Sequence, residues 1–288
     1  MSYNGYWLPW GEVCAVDYAE CDLADAAAIC ELVRSFSPNL ILNPAAYTAV
    51  TAVDKAESEP ESAHTINAVA PGVLGAEAAK RGAWVVHYST DYVFDGSKPG
   101  AYTEDELPNP QSVHGRTKSE GEIALQQSGA RYLTFRASWV VGAYGGNFAK
   151  TFLRLAGKRE SLNVVADQYG APTSAALLAD VTAQLVRPAQ HEGGANFPFG
   201  LYHLVAGGET NWCDGPRFVV SEAFAAGKQL KLSPDAIRAI PASEYSAAAK
   251  RLANSRLDTS KLRSTFGLEL PHWQREGRHA LQQVLRES

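Results

Sequence analysis

The sequence predicts an α/β fold: a doubly wound parallel sheet in the first part of the chain and a smaller C-terminal lobe after it. Three observations carry that reading. Short apolar runs recur at VCAV (13–16), LILN (40–43), WVVHYS (84–89), YLTFR (132–136), NVV (163–165) and LYHLV (201–205), and such runs suit strands buried on both faces. Segments of helical periodicity lie between them, and this alternation implies parallel strands joined by crossover helices. After about residue 165 the pattern loosens into proline, glycine and short helices. The expected division is therefore 1–165 for the doubly wound sheet region and 166–288 mainly for the smaller lobe, with some segments returning to the main sheet.

Each element has its own local justification. In DAAAICELVRSF, residues Ala26, Ile29, Cys30, Val33 and Phe36 fall at helical spacing, Asp25 can cap the start, and Pro38 follows the end. Helices also fit 61–80, 113–128, 147–159 and 174–187, with Pro71 interrupting the first, and HWQREGRHALQQVLRE closes the chain as a helix. TAVTAV at 48–53 reads as a three-residue duplication in the loop after LILN, too short for a repeat architecture.

Composition narrows the function classes. The 288 residues are 45% hydrophobic and 20% charged, ordinary for a globular protein, and the formal charge is 26 − 31 = −5, which attracts neither nucleic acid nor an anionic membrane. No apolar run approaches the roughly 20 residues that span a bilayer. MSYNGYWLPWGEV has no basic region followed by an apolar stretch, so no signal peptide is expected. Cys14, Cys21, Cys30 and Cys213 show no CxxC spacing, which favours reduced thiols over disulfides or a metal site. The expectation is a cytoplasmic protein without metal.

A doubly wound sheet that binds a dinucleotide opens with a strand, a glycine-rich turn and a helix whose N-terminus receives the pyrophosphate. No such turn precedes VCAV, so the chain is expected to be truncated relative to a complete nucleotide-binding unit. The glycines of WVVGAYGGN (139–147) lie far down the chain and read as a flexible substrate-side loop in preference to a displaced phosphate loop. Asp17, ending VCAV, suits a ribose hydroxyl and equally a turn; Asp22 and Leu23 suit the adenine side and equally a helix start. In NPAAYT (43–48), small Ala45 and Ala46 let a dinucleotide pass close to the backbone, or simply make a tight strand-to-helix turn.

The reactive pieces are HYSTDYVFDG (87–96), SVHGRTK (112–118) and FRASWVVG (135–142). Ligands gather at the carboxyl ends of strands in such sheets, which places Ser89, Thr90 and Asp91 to touch a substrate, although the same residues often cap a turn. His114 and Lys118 are i and i+4 on one helix face. Reducing a ketone requires a proton donor for the developing alkoxide and donors that hold the carbonyl oxygen.

These motifs, together with VDKAESEPE, RASWVVGAYGGNFAKTFLRLA, DQYGAPTSAALLADVTA, GLYHLVAGGETNW and NSRLDTSKL, resemble the dTDP-4-dehydrorhamnose reductase family of extended short-chain dehydrogenase/reductases, from about Gly11 to the C-terminus. The resemblance implies reduction of the 4-keto group of a dTDP-6-deoxyhexulose by NADPH or NADH, giving dTDP-L-rhamnose for surface polysaccharide. It implies cofactor contacts from Asp17, Asp22, Leu23, Ala45, Ala46, Thr48 and Lys118, and substrate contacts from Thr90, Asp91 and Trp139. Thr90 and Lys118 then join position 114 as the catalytic group. The family often forms homodimers; no interface signal stands out in this sequence.

The departures from the family pattern are specific. The first strand and glycine-rich turn have no counterpart, TAV is doubled beside the cofactor loop, LANSRL lacks the usual proline approach, and the catalytic tyrosine is His114. Free histidine titrates near 6.5 against about 10 for tyrosine, and a neighbouring Lys118 lowers it further. Neutral imidazole is a weak acid and is shorter by roughly 2 Å, where a misplacement of about 1 Å already costs around a hundredfold. Two readings stay open: an impaired reductase, or a non-catalytic nucleotide-binding or regulatory homologue, a decayed gene product included.

Overall fold

The computed structural model describes residues 11–47, 52–191, 196–245 and 251–287. In chain order the helices are α1 (Ala26–Phe36), α2 (Ala52–Ser58), α3 (Pro60–His64), α4 (Ala70–Ala79), α5 (Val113–Gln127), α6 (Phe148–Ala156), α7 (Ala175–His191), α8 (Asp214–Ala225), α9 (Ser260–Phe266) and α10 (Trp273–Glu287). The strands are β1 (Leu40–Asn43), β2 (Trp84–Thr90), β3 (Arg131–Ala137), β4 (Val140–Val141), β5 (Leu162–Val165), β6 (Tyr169–Gly170), β7 (Thr173–Ser174), β8 (Gly200–His203), β9 (Thr210–Asn211) and β10 (Ile237–Ile240). Two compact units result, one from 1–89, 113–135 and 184–201, the other from 90–112, 136–183 and 202–288.

The main sheet has the order β1-β2-β3-β8. β1 and β2 run parallel with Leu40 opposite Trp84 and Asn43 opposite His87, and helices cover the crossovers as the alternating pattern requires. In the first unit the Asp25 side chain caps α1 by accepting from Ala27 N and Ala28 N, and Ile29 and Val33 turn inward against Cys21, Ala70 and Leu74. A second cluster joins Ala78, Val85, Leu125 and Ala130 around the sheet. In the other unit β5 pairs with β10, and Leu162, Val164, Val220, Leu232 and Ile237 form its core.

Several sequence expectations need correction. VCAV forms no strand: residues 12–17 are coil, no strand of the described residues pairs with them, and Val13 and Val16 are 38% and 42% exposed. A strand exists only as part of a ladder, and hydrophobic sequence alone cannot replace the partner. β1 is only half-buried along Leu40–Leu42, at the edge of the sheet, instead of covered on both faces. The end of the TAVTAV stretch, from Ala52, starts α2 and is not loop; Thr48 lies outside the described residues.

Pro71 does not end its helix. A π-turn, Thr65–Val69, joins α3 to α4 and absorbs the missing proline N–H four residues on from Asn67. α5 crosses this turn at very short range: a Cβ on Gly121 would overlap the Asn67 carbonyl oxygen. Asn67 itself accepts from Tyr47 N (2.8 Å) and donates to Thr117 Oγ1 (3.2 Å), tying the loop after β1 to α5. Gly121→Ala should therefore push α5 off the turn and destabilise the fold by about 1–3 kcal/mol. Chemical denaturation measures this, and an unchanged midpoint would refute the close crossing.

Glu77 on α4 anchors the other end of this layer. Its side chain is buried and receives Arg34 in a two-point bond (3.0 and 2.9 Å) and Lys80 at 2.6 Å. Arg34 first, then Lys80, pull its carboxyl down from 4.5 to about 2. A carboxylate held below its unfolded value contributes stability above that value and loses it as pH falls. Glu77→Gln should thus weaken the protein at neutral pH, with the difference from the parent closing between about pH 4.5 and about 2. Equilibrium unfolding across that window is the check.

Candidate active site

β1 and β2 end in polar residues inside an otherwise apolar layer, and α5 delivers a lysine to them. Glu57 of α2 fixes the start of α5 by accepting from Val113 N (2.7 Å), and Thr117 Oγ1 bonds the Val113 and His114 carbonyls (2.9 and 3.1 Å). One turn on, Lys118 is only 2% exposed. Its Nζ donates to the Tyr88 carbonyl oxygen (2.5 Å) and lies 3.2 Å from His87 Nε2. His87 is fully buried, and its Nδ1 lies 3.2 Å from the Asn43 amide.

The electrostatics follow from this burial. Desolvation lowers Lys118 from 10.5 to about 8, with Glu122 one turn on opposing the change. Desolvation and then the Lys118 charge lower His114 from 6.5 to about 4, so His114 is a neutral imidazole at neutral pH. His87 is driven well below 6.5 by the same two causes in the same order. The cluster is thus one cation among two neutral rings.

On the cofactor side, Asp17 accepts from Ala19 N (2.8 Å) and its own N–H bonds Glu20 Oε2 (2.9 Å), so it stands in an exposed turn and not at a strand end. Asp22 accepts from Ala24 N (2.9 Å) just before α1, and Leu23 packs against the Cys21–Ile29–Val33 cluster. Ala45 is exposed and Ala46 half-buried in the segment that follows β1.

Thr90, Asp91 and Trp139 belong to the other unit. Thr90 Oγ1 accepts from Tyr92 N (3.2 Å), capping the short turn Asp91–Val93, and meets Asp91 Oδ1 at 3.1 Å. Burial raises Asp91 from 3.8 to about 6, against hydrogen bonds from Ser255, Thr90 and Ser138. Trp139 has φ +47, a left-handed conformation that costs a bulky residue. Its indole leans on Trp212 (4.7 Å between centroids, 38°), and Trp212 meets Phe148 edge-on. Gly170 makes room, since a Cβ there would stand 2.7 Å from the indole.

Sequence reasoning placed Lys118 and His114 on one helix face and missed His87, which faces the lysine, Asn43, which meets His87, and Asn67 and Glu57, which fasten α5. Trp212 was missed too. A histidine inside WVVHYS and an asparagine ending LILN were the available signals, because polar residues in a buried strand need a partner.

A parallel sheet of four strands with crossover helices, carrying a buried lysine at its polar strand ends, is a Rossmann-like α/β protein. The family model described as the RmlD substrate binding domain matches residues 9–286. The chain is 47% identical over 253 residues to dTDP-4-dehydrorhamnose reductase of Salmonella typhimurium, covering 88% of this chain and 82% of that one. It is also 47% identical over 263 residues to the Escherichia coli K12 protein of the same name, covering 91% and 85%. Among solved structures it resembles dTDP-4-dehydrorhamnose reductase of Bacillus anthracis in complex with NADP, with a TM-score of 0.83, 30% identity, and coverage of 95% and 90%. The chain belongs to the dTDP-4-dehydrorhamnose reductase family.

Proposed function

We propose that this chain reduces the 4-keto group of dTDP-4-dehydro-L-rhamnose to dTDP-L-rhamnose with NADPH or NADH, a step of rhamnose supply for surface polysaccharide. The observation that carries this reading is Lys118, a buried ammonium on the helix after β2, held by Tyr88 O and His87 Nε2. An ammonium has three N–H donors and these contacts take two, so one is left for a ribose hydroxyl. That donor set fits a nicotinamide riboside, and small Ala45 and Ala46 fit the passage of the rest of the dinucleotide. When bound, the nicotinamide supplies the hydride.

The chain's own groups divide the remaining work. Lys118 anchors the ribose and its charge favours the developing alkoxide. Thr90 gives its one hydroxyl hydrogen to Asp91 Oδ1 in the absence of substrate and turns it onto the keto oxygen when substrate is bound, while Trp139 covers the sugar or base with its indole. His114 stands where the family has its tyrosine and, being neutral, offers a weakly acidic N–H to the alkoxide. The reading includes a cytoplasmic location and a homodimer; no helix of the described residues is long and apolar enough to cross a membrane.

The test mixes purified chain with the dTDP-4-keto sugar and NADPH or NADH, following cofactor oxidation and product mass. Turnover supports the reading. Cofactor binding without turnover favours the second one, a non-catalytic nucleotide-binding homologue, for which the neutral His114 is the specific argument.

A further inference from the structure

His87 takes no part in the proposed hydride transfer, yet it is fully buried in the centre of the site. The strand register puts it directly opposite Asn43. Its ring then spans two elements: Nδ1 lies 3.2 Å from the side-chain amide nitrogen of Asn43 on β1, the ring also bonds the Asn43 backbone, and Nε2 faces Lys118 of α5 at 3.2 Å. A neutral imidazole carries one N–H. Lys118 is a donor only, so Nε2 holds the lone pair and Nδ1 holds the hydrogen, which requires Asn43 to present an oxygen to it, from its backbone or from its side-chain amide turned by 180°. The charged and titratable groups around Lys118 are His87 from β2 and, on its own helix, His114 and Glu122 one turn to either side. Glu57 of α2 is taken by Val113 N, and Glu120 pairs with His64 and Arg116.

We propose that His87 is a positioning residue for Lys118: fixed through Nδ1 by Asn43, it presents its Nε2 lone pair to the ammonium and so fixes where Nζ points and keeps it protonated inside the protein. The second ligand, the Tyr88 carbonyl, comes from the next residue of the same strand, so β2 alone supplies both acceptors. A histidine serving only to fill space here would be a poor choice, because a buried polar ring costs free energy that an apolar side chain of like volume does not. The catalytic meaning of this arrangement rests on the reading of Lys118 as the ribose anchor; the arrangement itself does not.

The test uses the full chain without cofactor. Nitrogen NMR of the histidine rings reports the tautomer, and carbon-labelled lysine reports the Lys118 titration, assigned with Lys118→Met. The expected result is a His87 with protonated Nδ1 and bare Nε2 at neutral pH. In His87→Leu the Lys118 midpoint should fall by roughly one pH unit or more, because a bond to the charged form is lost. In His87→Gln, whose amide oxygen can accept in place of Nε2, most of that fall should be recovered. A protonated Nε2, or a Lys118 midpoint unmoved in His87→Leu, overturns the proposal. Should His87→Leu not fold, the tautomer in the unsubstituted chain decides. Neither readout needs turnover, so a chain without reductase activity still confirms or refutes the role of His87.

Discussion

Lys118→Met should yield a protein that is more stable at neutral pH and catalytically dead. On the proposed reading the loss of rate comes from removing the ribose anchor and the positive charge beside the reacting oxygen, and groups of this kind typically contribute roughly 10²–10⁴-fold. The gain in stability comes from the same burial that makes the lysine useful. Its folded pKa of about 8 lies below the ordinary 10.5, so the fold disfavours the charged form. Between those two values the unfolded chain binds more protons, and stability of the parent rises with pH across the window. Below it the penalty is fully present, on the order of 3 kcal/mol, since each tenfold loss of proton affinity is worth about 1.4 kcal/mol. Methionine fills similar volume without the charge but leaves His87 Nε2 and the Tyr88 carbonyl without their donor, which offsets part of that penalty; the variant should keep a smaller advantage at pH 7 and lose it as pH rises toward 10.5. Denaturation at several pH values combined with initial rates is the measurement. A variant that is less stable at neutral pH, or that keeps its rate, contradicts a Lys118 that is both strained by burial and needed for the chemistry.

The second large effect has the opposite sign. His114→Tyr should raise kcat by roughly 10²–10⁴-fold, the range for a well-matched proton donor against a poor one. In the parent, His114 becomes cationic only below about pH 4, because burial and Lys118 hold it neutral. At working pH it therefore offers only the N–H of a neutral ring. A phenol begins near 10 and is brought lower by the adjacent ammonium, which places it far closer to the range in which a donor is effective. The phenol also reaches further toward the substrate from the same Cα. Packing opposes the change, since position 114 is buried and a larger ring costs about 1–3 kcal/mol. The gain should appear in kcat more than in KM, because the interaction forms as the alkoxide develops. A folded His114→Tyr chain no faster than its parent would show that the proton donor is not the limiting feature of this site.

Sequence and structure hold two kinds of information. Local signals were legible: Asp25 as a cap, the spacing of Ile29 and Val33, and the i, i+4 placement of His114 and Lys118 all depend on residues within a few positions of one another. Pro71 was legible as an interruption, but whether the helix would break or widen depended on Asn67 and the glycine of the helix crossing it. VCAV failed as a strand because strand formation is decided by a neighbour, which the four letters do not contain. The missed site residues share that property. His87 meets Asn43 across 44 positions and Lys118 across 31, and Asn67 meets Thr117 across 50. Such contacts arise from sheet register and helix crossing, and they become readable only once the elements are assembled.

The proposed Lys118 site, directing a hydride onto C4 of a dTDP-keto-sugar, must leave an isotopic trace. The decisive experiment supplies NADPH deuterated at the transferable position of the nicotinamide and examines the sugar product by mass spectrometry and proton NMR. dTDP-rhamnose carrying deuterium at C4 is expected from the parent chain, and no such product from Lys118→Met. Product without deuterium at C4, or the same labelled product from Lys118→Met at an undiminished rate, would overturn this assignment of the site.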